Sequence, residues 1–559
     1  MPNIRKLNDI PIGIHRPATF GVCATCDPRI DAASRARAAN IVEMVAGVIA
    51  RCVHMPDGRD VHVVWTPILI DGEPQADIVA RQFKDAGVDA IVCAPDTWAF
   101  PQLTLIRLLS HFPPETPVNI TCGNSGPRPG VVFAHAVNGA LAQSGRLATL
   151  NVGSWPDTGA NPKMSHATES ALADWCYAAL TAVGLKGRRI VLFGHDSMGM
   201  ETALAHVIPT RNTLGVEITR LDMKLLADML AKGAYDPREL DALAAWVDKH
   251  VGKRVDLPTE ADAMRFHQSL AMYLIVRDLM TELNAVGGGF MSQLEWGSDR
   301  RGTPLPVADA MESLFNSTFD HNGDKPAIPY ATEADAQALL TMLVMTWLSG
   351  GHPPLFMDFR KVWEPWEIQA LAKKLTVKCS GREPWARKGF VDGNNSGSAS
   401  FNWAAKPGAS PATCMKNVSM PLADPGYFPG GGNSVTFTTP GGVEGVAGRI
   451  AYSHPADQFS FIWDQAVTID MPPKLAKAVA NTSTPTWPHT FVVPHYATMA
   501  EYKQYAPANH MHMTGGLPVP RLQYWADLTG VASVTPWAAR PAWVEGVDRP
   551  IPLMHLINP

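Results

Sequence analysis

Short apolar segments alternate with amphipathic ones through the first third of the chain, and few folds accommodate that order. Residues 61–69 read as a buried strand, 76–84 as a helix and 88–93 as a short β-branched strand. Residues 103–109 look helical, 117–122 extended and 131–144 helical with many alanines. A further strand at 148–152 and an amphipathic helix at 170–183 continue the alternation. Strands this short and this apolar have no face suited to water. They fit a parallel sheet covered by helices on both sides. No glycine-rich dinucleotide fingerprint follows any of these strands, so the sheet is not by itself a cofactor domain.

A second α/β unit begins at Lys186. Residues 189–194 read as a strand, and DSMGM at 196–200 as the turn into the next helix. Helical segments run from about 222 to 283, with Leu225, Leu226, Met229 and Leu230 making an apolar face. A helix over 334–348 is stopped by Ser349-Gly350-Gly351 and Pro353-Pro354. Beyond Pro354 the composition changes. Residues 374–429 are broken by Gly, Ser, Asn and Pro, and 434–439, 445–452 and 459–469 are strand-like runs between turns. The order gives two α/β domains with parallel sheets, at 1–185 and 186–352, followed by a β-rich C-terminal domain at 353–559. A chain of 559 residues has the length for three such domains.

Composition excludes several classes of function. Lys and Arg number 47 against 52 Asp and Glu, which gives no electrostatic case for nucleic acid or an anionic membrane. The most apolar late stretch, 338–348, is too short for a bilayer, which needs ~20 residues. The N-terminal residues lack the apolar run of a secretory signal, so a soluble, cytoplasmic protein is expected. Cys23 and Cys26 form a CxxC with no second pair at zinc spacing. They are expected to be two buried thiols near a strand end.

Three local signals carry candidate chemistry. Thr332 can cap the helix that follows it, which would place Glu333 in the first turn, where the positive helix end favours a carboxylate. A capping glutamate with no other task has the same pattern. Asp358 lies inside the apolar run LFMDFR at 355–360, where a carboxylate is costly unless it is paired or bound to a metal. An ion pair with Arg360 would satisfy it equally. His510 and His512, at i and i+2, can share one face of a strand. Two carboxylates and an imidazole would suit Mn²⁺ or a similar divalent ion. Spacing alone does not assemble the three residues into one site.

The sequence resembles the L-fucose isomerase family, whose members also accept D-arabinose. The resemblance is carried by FNSTFDHNG at 315–323, ATEAD at 331–335 and LFMDFR at 355–360 with Trp363 behind it. RPG at 128–130, SMG at 197–199, NSGSA at 395–399, GGG at 430–432, TWP at 486–488 and ANH at 508–510 complete it in the family's order. It implies a subunit of two α/β domains and a β-rich third, assembled as a hexamer. It also implies Mn²⁺ held by Glu333, Asp358 and His510. Glu333 and Asp358 would move protons between C1, C2 and the oxygens of an open-chain aldose, yielding the ketose. Trp98, Met198, Trp487 and Asn509 fall on family pocket positions, with Arg16 and Asn433 at others.

Departures from the family pattern sit around that triad. GVC follows at 21–23 where the family has a Gly-Arg stretch after Arg16-Pro17. Met291 stands in place of a Gln, although Gln293 is kept, and Asn433 in place of a Tyr. His321 replaces a Trp, and GHD at 194–196 is more polar than usual. The segment from Glu333 to Asp358 is one residue longer. An intact triad with an altered surround implies retained isomerisation and a changed preference at C4–C6. The alternatives are an isomerase or epimerase for a C5/C6-altered sugar, and a catalytically silent sugar-binding protein.

Overall fold

The computed structural model describes residues 17–156, 158–195, 197–292, 305–394 and 399–535. The chain divides into two compact units, one drawn from residues 14–185 and 519–529 and the other from the remainder. No helix among the described residues is long and apolar enough to cross a membrane.

The first unit is a five-stranded sheet. Its strands are β1 (Thr19–Cys23), β2 (His62–Trp65), β3 (Ala90–Cys93), β4 (Val118–Gly123) and β5 (Thr149–Gly153). They lie in the order β2-β1-β3-β4-β5, and every pair is parallel. β1, β3 and β4 are buried at every residue, as the unbroken apolar runs require. The strand over 61–69 is a correction to the sequence reading. It shortens to four residues, and all of them are half-buried or exposed, because β2 is an edge strand. A 21-residue helix, Ala32–Cys52, precedes it, begun by Asp31, whose side chain accepts from the Ser34 amide. The helix Val519–Thr529, from far down the chain, packs on the helix His166–Gly184, with Arg521 2.7 Å from Asp174. Cys23 and Cys26 are buried free thiols, and burial pushes Cys26 up to about 11.

The second unit opens with β6 (Arg188–Phe193), β7 (Val216–Leu221) and β8 (Ala285–Phe290). The two-residue strands β9 (Phe319–Asp320) and β10 (Gly323–Asp324) form a separate ladder, and β11 (Tyr330–Thr332) completes the main sheet. That sheet has the order β11-β8-β6-β7 and is wholly parallel. Helices Met223–Ala231, Pro237–His250 and Glu260–Glu282 occupy the expected helical region. The segment after β6 reaches helical structure later than expected, at Val207–Pro209 and the wider turn Thr210–Leu214. It makes two single 3₁₀ turns, Ser197–Gly199 and Glu201–Ala203, because Met198 adopts φ +54° and no α-helix continues through it.

The same unit continues into β12 (Leu355–Trp363), β13 (Phe390–Asn394), β14 (Glu444–Ser453), β15 (Gln458–Thr468), β16 (His489–Pro494) and β17 (His510–Gly515). These run β14-β17-β12-β13-β16-β15, and β15 returns to pair with β14, so six antiparallel strands close into a barrel. β18 (Ala532–Val534) adds in parallel to β15. The run at 434–439 contributes isolated bridges and no strand. One apolar core, including Phe193, Leu270, Phe315, Tyr330, Met357 and Met511, runs from the parallel sheet into the barrel.

Candidate active site

Parallel sheets present ligand-binding groups at the carboxyl ends of their strands, and Glu333 follows directly on the end of β11. Its position differs from the expected helix cap. Thr332 ends the strand and hydrogen-bonds through its hydroxyl to Glu312. Glu333 and Ala334 then take φ +62° and +50°. The cap of the helix Ala336–Leu348 is Asp335, which accepts from the Ala338 amide at 2.8 Å. Two consecutive left-handed residues turn the chain sharply and hold Glu333 outside the helix. Backbone of this kind is unfavourable for side-chain-bearing residues and persists where the surroundings fix it.

Asp358 and His510 are brought together by the barrel. They are directly opposed on the antiparallel strands β12 and β17, so their side chains share a face. His510 is buried and packs on the Phe356 ring at 4.6 Å. Its Nδ1 lies 2.7 Å from Asp335 Oδ2, and its Nε2 lies 3.4 Å from Glu333 Oε2. Burial opposes a charge on this imidazole, but the bond to Asp335 and the nearby Glu333 and Asp358 outweigh it and raise its pKa. Asp335 is itself buried. Arg449 at 3.0 Å and His510 hold its carboxyl far below the usual range, against the effect of burial. For Asp358 burial dominates and pushes the carboxyl up, opposed by His510, by Arg360 and by a hydrogen bond from Asn509. Arg360 stands 3.7 Å away, so the ion pair is present but loose.

A row of polar residues continues across the barrel wall. Asn394 opposes Asp358, and His489 opposes Asn394. His489 Nδ1 is 2.9 Å from Asp392, which is also buried. Beside the row, Arg360 reaches Tyr427 Oη at 3.2 Å and Thr484 Oγ1 at 3.1 Å, and its guanidinium lies 5.6 Å over the Trp487 ring.

The donor set suits a divalent ion. With Nδ1 committed to Asp335, His510 presents Nε2 beside one carboxylate, and a second carboxylate faces it across the ladder. Two carboxylates and an imidazole match a hard-to-borderline cation. Among the described residues no group of three or more His, Cys, Asp or Glu is already gathered around one point. Glu333 and His510 stand together as a pair, and Asp358 opposes His510 across the strand ladder.

Residues 18–187 match the family model of the first N-terminal domain of L-fucose isomerase, and 189–350 match that of the second, together more than half of the chain. The chain belongs to the L-fucose isomerase family. The L-fucose isomerases of Streptococcus pneumoniae strains Taiwan19F-14 and CGSP14 are 26% identical over 541 residues. The match covers 89% of this chain and 87% of theirs. This member of the L-fucose isomerase family is an aldose–ketose isomerase, an intramolecular oxidoreductase.

The remaining family positions fall in several places. Asn509 bonds Asp358, and its Nδ2 also lies 3.4 Å from Met200 Sδ, on the loop that carries the exposed Met198. Trp487 is buried against Tyr427, Phe428 and the Arg360 guanidinium. Asn433 is fully buried and donates to the backbone carbonyls of Asp256 and Met420 at 2.7 and 2.9 Å. Trp98 belongs to the other unit. There it follows the carboxyl end of β3, edge-on to Phe100 and Phe133. Arg16 and Gln293 lie outside the described residues. Met291 directly follows β8, with its Sδ 3.5 Å from the His195 amide.

Asp335 and Arg449 were missed as site residues. Both were discoverable by the argument that singled out Asp358. Arg449 sits inside the apolar run GVAGRIA at 445–451, and Asp335 ends the ATEAD stretch at 331–335, so each charge needs a partner.

Proposed function

We propose that the chain is a divalent-metal-dependent isomerase of L-fucose, D-arabinose or a closely related aldose, with Mn²⁺ as the ion. The observation that carries the reading is the fixed pair of Glu333 and His510, 3.4 Å apart, with Asp358 opposite His510 on the neighbouring strand. Glu333, Asp358 and His510 would hold the ion. When bound, it would supply positive charge that offsets the negative charge developing on the sugar oxygens, and so would favour loss of the C2 proton. Glu333 and Asp358 are the carboxylates for the two proton transfers. One takes the proton from C2 as O1 gains one, giving an enediol. A proton is then delivered to C1 as O2 loses its own, and the ketose results. The bond from Nδ1 to Asp335 orients the ring, so that Nε2 would be the atom offered to the ion. Asn509 holds Asp358 in place by its hydrogen bond. Buried Phe356 against the imidazole keeps water from that side.

The sugar's far end is where this member would differ from its relatives. Met291 offers a thioether where the family pattern has an amide, and Asn433 directs both amide hydrogens into the backbone. A preference shifted at C4–C6, toward an aldose altered there, follows from those two positions. Trp98, Met198, Trp487 and Arg16 complete the proposed sugar contacts by resemblance. The same resemblance supports a homohexamer, which light scattering of the purified protein would test.

The deciding experiment is ketose formation from a panel holding L-fucose, D-arabinose and C5/C6 variants, with Mn²⁺ and after EDTA. Turnover of one aldose that needs the metal and is lost in Glu333→Gln is the expected result. Mn²⁺ binding with no turnover across the panel would overturn it in favour of a sugar-binding role.

A further inference from the structure

We propose that Arg449 is a positioning residue, whose single guanidinium sets both the orientation of His510 and the seat of the loop that carries Met198 and Met200. The inference rests on the reading of Glu333, Asp358 and His510 as the metal site. β14 reads EGVAGRIAYS, and Arg449 is 1% exposed within it. A guanidinium so buried is tolerated only where its donors are met. They are met by three separate elements. Asp335, at the start of the helix Ala336–Leu348, lies at 3.0 Å. The Thr202 carbonyl, in the turns after β6, accepts from Nη2 at 2.7 Å. The His510 carbonyl, on β17, accepts from Nη1 at 3.4 Å.

Each contact has a separate consequence. Asp335 accepts from both Arg449 and the Ala338 amide, which fixes the rotation of its carboxylate. The carboxylate in turn fixes His510 by its bond to Nδ1 at 2.7 Å, so Nε2 is the nitrogen aimed at Glu333. The Thr202 contact anchors the loop whose Met200 meets Asn509, and Gln337 adds a second tether to the Leu204 carbonyl at 2.6 Å. A planar guanidinium fork serves the carboxylate and the carbonyl at once. A lysine ammonium at the end of a shorter reach can serve one of them, and the charge directs it to Asp335.

The two functions therefore separate by substitution. Purified wild type, Arg449→Lys and Arg449→Met are titrated with Mn²⁺ alone. Steady-state kinetics on the best aldose of the panel and thermal unfolding are measured beside the titration. Arg449→Met is expected to weaken Mn²⁺ binding by about 10–100-fold. Arg449→Lys is expected to keep Mn²⁺ affinity within about threefold and to raise KM with little change in kcat, since it restores the carboxylate contact but not the loop contact. A purely structural arginine would lower the melting temperature of both variants and leave metal affinity and KM unchanged. That outcome overturns the inference alone. Should Arg449→Met fail to fold, the lysine variant decides, because unchanged KM in it is equally fatal. Wild-type protein whose Mn²⁺ binding is absent, or is unaffected by His510→Ala, overturns the metal reading and this inference with it.

Discussion

A carboxylate in the middle of an apolar strand is explained by what faces it, and Asp358 faces His510 on one side and Asn394 on the other. Its burial raises the cost of ionisation, while His510, Arg360 and Asn509 offset it. In the proposed reaction this residue would exchange a proton, and its replacement by Asn would remove that group without emptying space. Asp358→Asn is expected to lower kcat by about 10²–10⁴-fold, the usual range for losing a general acid or base. The variant's melting temperature should stay near that of the wild type. Steady-state kinetics with saturating Mn²⁺ checks the first expectation and calorimetry the second. Met291 poses the opposite problem. Its thioether lies against the His195 amide at the end of β8, one strand from Glu333. Gln has a similar unbranched length and would place an amide there. Met291→Gln is expected to change the ratio of kcat/KM between L-fucose and the preferred aldose by roughly tenfold or more, since a site that hydrogen-bonds a hydroxyl discriminates against sugars lacking it.

Elements set where those residues stand, and β8 shows how tightly. Its sequence AVGGGF places three glycines in a fully buried strand between β6 and β11. A Cβ on Gly288 would lie 2.5 Å from the Tyr330 ring, and one on Gly289 would lie 3.2 Å from Cα of Ala334. Gly288→Ala is expected to cost about 1–3 kcal/mol by overpacking, measured by urea denaturation. Gly289→Ala crowds the left-handed turn that holds Glu333, so its larger effect should fall on metal affinity and turnover. In the barrel, Asp464 on β15 is buried, and desolvation pushes it up to about 6 although the Tyr496 and Ala497 amides bond it. An unfolded aspartate titrates near 4. Between about pH 4 and 6 the folded chain therefore keeps a proton that the unfolded chain has lost, and stability falls as pH rises through that window. Asp464→Asn removes this contribution, up to roughly 2–3 kcal/mol. Urea midpoints of the two proteins at pH 4, 5, 6 and 7 should diverge within that window and run parallel above it. The helices and central strands were legible because their apolar periods are regular. β2 was overread because an edge strand carries the same residues as a central one. The Glu333 turn was misread because Thr332 and Asp335 are both good caps, and only the packing of Thr332 against Glu312 decides between them. His510 and Glu333 lie far apart in sequence, so local pattern could not join them. The family resemblance supplied that link.

At the scale of the whole molecule, the three proposed ligands come from two sheets within one compact unit. Glu333 leaves the parallel sheet at β11, whereas Asp358 and His510 belong to the barrel, and a shared apolar core runs between the two. An ion held by all three would pin the end of the parallel sheet to the barrel wall, and it would stabilise the unit containing them. Binding to the folded form alone stabilises by about 2.7 kcal/mol at a hundredfold excess over Kd. None of the three ligands lies in residues 14–185 or 519–529, so that unit receives no direct share. Hydrogen exchange with and without Mn²⁺ should show slower exchange around 330–338, 355–360 and 508–513, and little change in β1, β3 and β4. Calorimetry should show the metal raising the transition of the second unit more than that of the first. Equal protection in both units would mean that the ion is held elsewhere, and the assignment of Glu333, Asp358 and His510 would then fail.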